Sequence, residues 1–360
     1  MATLTIDTAK IRSNIKKLNK FFDEHNIEWS LVTKMFAGHK PTLERILTDP
    51  EIKKVHSVAD SRISNLKAIK EVAPDVVTMY IKPPAINQVK NVIQYSDISL
   101  NSSYSTIEEL DKEAGRQNKI HRIVVMIELG ELREGVLRDD ILNFYERIFK
   151  FKNIQTIGIG TNLGCMYGIE PTYDKLIQLT LFTKLIEAKF DHKLELISGG
   201  SSMTLPLITK NSIPKGMNHF RIGEAALLGK SPLNNNRFED LYTSTFEFSA
   251  EVIEVYKKEN QPDGVIGEGN VGHTPVIPDD AEIKETHRCI VDFGQIDVDP
   301  VNLLIKDKGV IFAGITSDMT VFDLGEENSK YKVGSQLNFI PNYTAAASLM
   351  NSRYITKNVI

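Results

Sequence analysis

Lys34 ends an apolar run, Ile27 to Val32, that is broken only by Glu28 and Ser30, and a small-residue turn, Ala37-Gly38, follows it. Short apolar runs of this kind read as buried parallel strands. Lys34 therefore stands at a strand's carboxyl end, the edge where α/β folds bind ligands. A lysine partly withdrawn from water there can lose its proton and form a Schiff base with a carbonyl compound. Two further stretches could hold an anion: Ser198-Gly199-Gly200-Ser201-Ser202, and Gly223 after Phe220-Arg221-Ile222. Their glycines let backbone N–H groups come close to a phosphate, and the serine hydroxyls add donors.

The elements that would position these residues alternate regularly. After a first strand, Thr3 to Ile6, a helix carries Ile11, Ile15, Leu18 and Phe22 at helical spacing. Strands then end at Lys34, at Asp60 (Val55 to Ala59), near Ile81 (from Val76) and at Asn101 (Asp97 to Leu100). They continue with Arg122 to Leu129, Ile154 to Gly160, Leu194 to Ile197 and His219 to Ile222, each followed by a helical pattern. Ser105 is expected to cap the helix from Thr106 to Gln117. Eight strand–helix units over roughly 210 residues predict a (β/α)₈ TIM-type barrel, residues 7–235. From about Phe238 the pattern becomes alternating short runs between Gly, Asp, Asn and Pro turns, which predicts a β-rich carboxyl-terminal domain, residues 236–360, joined by strand 1–6. In a barrel, the loops after strands seven and eight are the recurrent phosphate site. An amine across the mouth from that site suggests pyridoxal 5′-phosphate.

Composition narrows the class. The chain has 360 residues, 25% charged and 41% apolar, as expected of a globular protein with a large core and two domains. A net charge of −4 gives no reason to expect nucleic acid or an anionic membrane surface as partner. No window approaches the ~20 apolar residues of a membrane span. The amino terminus reads as a strand entering a helix, not as a basic segment followed by an apolar signal core. Cys165 and Cys289 are too few and too far apart for a disulfide framework or a zinc ribbon. Cytoplasm is the expected compartment, and no metal site is expected.

Over essentially its whole length the chain resembles the alanine racemase-like, fold-type III pyridoxal-phosphate enzymes. The resemblance is carried by the Lys34 strand, the Gly130-x-x-Arg133-x-Gly135 loop, Gly160-Thr161-Asn162, Ser198 to Ser202 and Phe220 to Gly223. In the second domain it is carried by Thr316-Ser317-Asp318, Lys332-Val333-Gly334 and Asn342-Tyr343. Leu129 to Gly135, Gly160 to Leu163 and Gln295 to Asp299 look like the ornithine racemase subgroup.

The resemblance implies that Lys34 holds the cofactor and acts as one Cα base. Arg133 would bond the phenolic oxygen and the substrate carboxylate, and Asn162 would lie near the ring, where alanine racemases usually have a histidine. Ser201 or Ser202, Gly223, Glu224 through its backbone N–H, and Tyr343 would bind the phosphate. Arg221 would face the pyridine nitrogen. A guanidinium does not give up its proton, so the ring would stay a weak electron sink and racemisation would be favoured over transamination. Relatives take the second base, a tyrosine, from the partner subunit. Here the comparable segment, Ile266 to His273, has no tyrosine, which leaves Glu268 or His273 for the role. Asp297 and Asp299 alternate on an expected strand and could pair with the distal ammonium of ornithine or lysine. Ser317 is expected at the substrate.

The function implied is Cα proton abstraction and return on opposite faces of a cofactor-bound amino acid, with ornithine as substrate, in a homodimer with shared sites. The alternatives are a racemase of broader range (alanine, lysine or serine) and a metal-assisted lyase or aldolase acting on D-amino acids. His287-x-Cys289 has a spacing that could serve the metal. A non-catalytic carrier of the cofactor is a third reading, disfavoured by the β-rich domain.

Overall fold

The computed structural model describes residues 2–267, 272–275, 283–328 and 330–360. They form two compact units, Ala9–Thr243 and Met1–Thr8 with Ser244–Ile360. The first strand, β1 (Thr3–Ile6), belongs to the smaller unit. In the larger unit, eight parallel strands close into a barrel: β2 (Glu28–Val32), β3 (Ser57–Asp60), β4 (Thr78–Tyr80), β5 (Ile98–Asn101), β6 (His121–Met126), β7 (Ile154–Gly160), β8 (Leu196–Ser198) and β9 (His219–Ile222). β2 closes the ring, with Ser30 opposite Ser57 on one side and Arg221 on the other.

Strand alternation sorts the side chains. Val32, Ala59, Met79, Leu100, Val124, Met126 and Leu196 form one buried apolar cluster inside the barrel. Residues of the same parity, Ser30, Ser57, Ser198, His219 and Arg221, therefore also face inward. Phe220, of opposite parity, stacks outward on Phe22 at 6.4 Å between ring centroids. Phe22 belongs to the helix Thr8–Glu24, whose Ile11, Ile15, Leu18 and Phe22 are each at most 1% exposed. Amphipathic spacing put that stripe against the barrel wall.

Two sequence expectations need correction here. The helix after β5 starts at Tyr104 after Ser103, and the Ser105 hydroxyl bonds that of Ser103 rather than capping. The strand expected to reach Leu129 stops at Met126, because Glu128 folds back to accept the N–H groups of Gly130 and Arg133.

The smaller unit is a sheet of mainly antiparallel strands. After a two-residue hairpin in the barrel unit, β10 (Lys230–Ser231) with β11 (Asn236–Arg237), its strands are β12 (Phe246–Glu259), β13 (Glu285–Val291), β14 (Leu303–Ile305), β15 (Ile311–Ile315), β16 (Thr320–Asp323), β17 (Gln336–Pro341) and β18 (Thr356–Val359). Their order is β14-β17-β12-β13-β16-β15, and β1 pairs with both β12 and β18. Phe246, Phe248, Ala250 and Val252 are buried on alternate positions of β12. Phe248, Phe293 and Phe339 pack there with centroids 5.1–5.7 Å apart. No helix among the described residues is long and apolar enough to cross a membrane.

Barrel closure is tightest at Gly158 in β7, where a Cβ would lie 2.5 Å from the Leu196 carbonyl oxygen of β8. Gly158→Ala is expected to force these strands apart and cost about 1–3 kcal/mol. A lowered urea midpoint with unchanged slope would show it; an unaltered midpoint would contradict it.

Candidate active site

Lys34 opens a short turn, Lys34–Phe36, immediately past β2, and its side chain is exposed. Beside it, Thr33 donates to Asp60. Asp60 is 1% exposed and also accepts from Arg62 N–H (2.9 Å) and Asn65 Nδ2 (3.1 Å). Burial pushes its pKa up to about 6 against those donors. Asn101, of outward parity, turns its Nδ2 back onto the Ser99 carbonyl and hydroxyl. Asp60 and Asn101 are thus wall residues.

Arg221 lies inside the barrel at 5% exposure. Its Nη1 donates to Ser198 Oγ and its Nη2 to the Thr161 carbonyl (2.8 Å), tying the ends of β7 and β8 to β9. Burial lowers its pKa to about 10, the field of Glu134 opposing, so it stays a cation at neutral pH. Arg133 makes a two-pronged ion pair with Glu134, which holds its pKa above the ordinary value. The charges of Arg133, Glu134 and Arg221 act on one another, so Arg133 and Arg221 share one neighbourhood. Asn162 follows Thr161, and its Nδ2 is buried without a hydrogen-bond partner.

The two glycine-bearing turns are joined. Arg221 N–H donates to the Gly200 carbonyl (2.9 Å), and Ala225 N–H donates to Ser202 Oγ (3.3 Å). Ser202 is 2% exposed, so its hydroxyl links the turns, while Ser201 remains part-exposed at the mouth. Gly223 packs on β2: a Cβ there would stand 3.2 Å from Val32 Cβ. Glu224 heads the short helix Glu224–Leu228, and burial raises its pKa against the pull of Lys230 and Lys34. The barrel unit therefore brings together Lys34, Arg133, Asn162, Ser201, Gly223, Glu224 and Arg221 at one rim.

Three carboxylates of this rim were not picked out from sequence. Glu131, 2% exposed, accepts from the consecutive N–H groups of Gly164, Cys165, Met166 and Tyr167. Burial pulls its pKa up, but those four bonds outweigh it, and the pKa ends below the ordinary value. Glu128 ties down the Gly130–Arg133 turn, and Glu134 holds Arg133. A signal existed: three glutamates within seven residues around an arginine and two glycines are more than a solvated turn needs.

In the smaller unit, one expectation is overturned. Asp297 and Asp299 do not alternate on a strand, since β13 ends at Val291. Gly294 to Val298 coil into a turn, with Asp297 N–H and Val298 N–H both donating to the Gly294 carbonyl. Asp297 accepts from Ser352 Oγ (2.6 Å), and Asp299 caps Val301 N–H (3.1 Å). An alternating Gln-Ile-Asp-Val-Asp pattern is compatible with either form, and Gly294, where a Cβ would meet Asp318 N at 2.2 Å, decides for the turn. Both aspartates line a groove of about 780 Å³ with Tyr343, which opens the helix Tyr343–Asn351. Beside it, Ile296 N–H donates to the Ser317 carbonyl (3.0 Å). His273 is exposed and pairs with Ile315, and its Nε2 accepts from Gln295 Nε2 (2.7 Å). Glu268 lies outside the described residues. His287 and Cys289 sit on β13, Cys289 fully buried with its pKa pushed up to about 11. Among the described residues no group of three or more His, Cys, Asp or Glu side chains could hold a metal.

Residues 6–232 match the family model described as alanine racemase, N-terminal domain. The chain is 32% identical over 359 residues to an ornithine racemase of Acetoanaerobium sticklandii, covering 99% of each chain. It is 30% identical to a lysine racemase of Thermotoga maritima, covering 98% of this chain and 97% of that one. Its fold superposes with a TM-score of 0.72, at 16% identity, on an alanine racemase from Bartonella henselae crystallised with covalently bound pyridoxal phosphate; the match covers 100% of this chain and 99% of that one. The barrel with its rim lysine, the β-rich second unit and full-length similarity to racemases agree: this chain belongs to the alanine racemase family.

Proposed function

We propose that the protein is a pyridoxal-phosphate-dependent racemase that interconverts L- and D-ornithine. The observation that carries this reading is the rim itself, where a lysine, two glycine-bearing turns and a buried, charged arginine meet in one barrel mouth. The residues present fit the cofactor. Asn162 Nδ2 is a donor with no protein partner, Gly200 takes φ +128 with Thr204 Oγ1 2.7 Å from where a Cβ would be, and the donor set suits an aldehyde and a phosphate. Bound there, pyridoxal phosphate supplies a carbonyl for the substrate amine and a ring that acidifies the Cα–H.

Lys34 Nζ would hold the cofactor and would serve as the base on one face of Cα. Ser201, with the N–H groups at Gly223 and Glu224, would receive the phosphate. Ser202 supports that cup from behind by capping Ala225. Arg133, oriented by Glu134, bonds the phenolic oxygen and the substrate carboxylate. Arg221 donates to the pyridine nitrogen and keeps its own proton, because even after burial its pKa is about 10. A ring nitrogen left unprotonated in this way would draw charge from Cα only weakly, which would favour return of the proton to Cα.

The second base is Glu268 or His273 of a partner copy in a homodimer, where each β-rich unit completes the other's site. His273 has a supporting feature: its ring Nε2 lies 2.7 Å from the Gln295 side-chain amide, which fixes the ring's orientation. Asp297, Asp299 and Ser317 form the substrate side, two carboxylates answering a distal ammonium. The net charge and the two distant cysteines support a cytoplasmic location.

The test is Cα hydrogen–deuterium exchange in heavy water on cofactor-loaded protein, with ornithine, lysine, alanine and serine offered separately. Exchange on ornithine with formation of the D-isomer, and little on alanine, is expected. Equal exchange on alanine would contradict the substrate assignment, and pyruvate from serine would contradict racemisation. Lys34→Ala is expected to lower exchange by about 10²–10⁴-fold. Asp299→Asn is expected to raise KM for ornithine about tenfold while leaving kcat in place; an unchanged KM would remove Asp299 from the substrate side.

A further inference from the structure

Arg221 is the upper end of a buried polar line that runs down the barrel interior. Ser198 Oγ, which accepts from Arg221 Nη1, lies 2.8 Å from His219 Nδ1. His219 Nε2 lies 2.8 Å from Ser30 Oγ, and Ser30 Oγ lies 2.7 Å from Ser57 Oγ. Ser57 Oγ in turn lies 3.3 Å from His56 Nδ1. His56 stands at the opposite end of the barrel, its Nε2 3.9 Å from Glu28 and its ring 5.0 Å from that of His219. Ser30, Ser57, Ser198 and His219 are each at most 2% exposed. Nothing in the activity described above assigns these four residues a task.

One set of bond directions, starting from Arg221, gives every member of the line a partner. A guanidinium only donates, so Ser198 Oγ accepts from it and has one hydrogen of its own to give. With that hydrogen given to His219 Nδ1, His219 carries its single proton on Nε2 and donates to Ser30. Ser30 then donates to Ser57, and Ser57 to His56 Nδ1, which leaves the His56 Nε2–H toward Glu28. One tautomer of each histidine completes the line. A second proton on His219 would place a second cation beside Arg221, and burial likewise holds His219 well below the ordinary histidine pKa.

We propose that Ser198 and His219 are positioning residues that lock the plane of the Arg221 guanidinium, so that its remaining donors point at the pyridine nitrogen. The Thr161 carbonyl holds the other prong (2.8 Å), and two fixed prongs leave a planar group no rotation. The consequence for turnover rests on the racemase reading; the consequence for Arg221 does not.

The barrel holds a matched control. His121 Nε2 and Ser99 Oγ form an equally buried pair at 2.8 Å that ends on Asn101 and does not reach Arg221. The test uses the full chain labelled with ¹⁵N-arginine. In the unmodified protein the two Nη groups of Arg221 are expected as separate, slowly exchanging signals. Ser198→Ala and His219→Leu are expected to merge them. His219→Asn, which keeps an acceptor at the Nδ1 place, and Ser99→Ala are expected to leave them separate. In cofactor-loaded protein, the first two variants are expected to shift the absorption maximum of the bound cofactor and lower kcat about tenfold at unchanged KM. Separate Nη signals in Ser198→Ala, or merged ones in Ser99→Ala, would overturn the proposal. Failure of the unmodified protein to take up cofactor would strike the racemase reading, while the Nη signals would still decide this one.

Discussion

The structure turns on a charge kept inside a barrel. A guanidinium removed from water costs several kcal/mol unless its donors are met, and Arg221 is 95% covered yet remains a cation. Two of its prongs are met by Ser198 and Thr161, which come from different strands. The lower part of the lumen is polar for the same reason: Ser198 needs somewhere to send its hydrogen, and His219, Ser30, Ser57 and His56 carry the chain of donors toward solvent. Elsewhere the lumen is apolar, filled by Val32, Ala59, Met79, Val124, Met126 and Leu196. Placing the arginine thus dictates which strand positions can be apolar.

Around the mouth, carboxylates act on backbone rather than on ligand. Glu131 gathers four consecutive N–H groups and fixes the loop that bears Asn162, and Glu128 closes the turn that bears Arg133. Gly135 has to be glycine, since at φ +149 a Cβ would stand 2.3 Å from Glu128 N. A buried acceptor of several charge-assisted bonds is more rigid than a surface loop of the same length. This is how a long connection after β7 can hold a side chain in a defined place. In the smaller unit, Gly294 has the corresponding role, bringing the Asp297 turn against Ser317 and Asp318.

Much of this was legible in the sequence, for identifiable reasons. Eight short apolar runs, each followed by an amphipathic helix, admit few arrangements, and the closed barrel is one of them. Lys34, Arg221 and Gly223 stood out because a cation or a glycine at a strand's end has few structural reasons to be there. Asp297 and Asp299 misled because a two-residue period is shared by strands and by some turns, and only the crowding at Gly294 separates them. The interior line escaped notice because Ser30, Ser57 and His219 read as small or neutral residues in apolar strands. His219-Phe220-Arg221 did contain the hint, since residues two apart on a strand share a face.

The central claim is that a charged Arg221 faces the cofactor's ring nitrogen and never gives it a proton. The direct measurement is the ¹⁵N chemical shift of that nitrogen in the protein loaded with pyridoxal phosphate labelled at the ring, followed across neutral pH. The account predicts the shift of an unprotonated pyridine that accepts a hydrogen bond, moving to a different value in Arg221→Glu. A protonated ring nitrogen in the unmodified protein would contradict it.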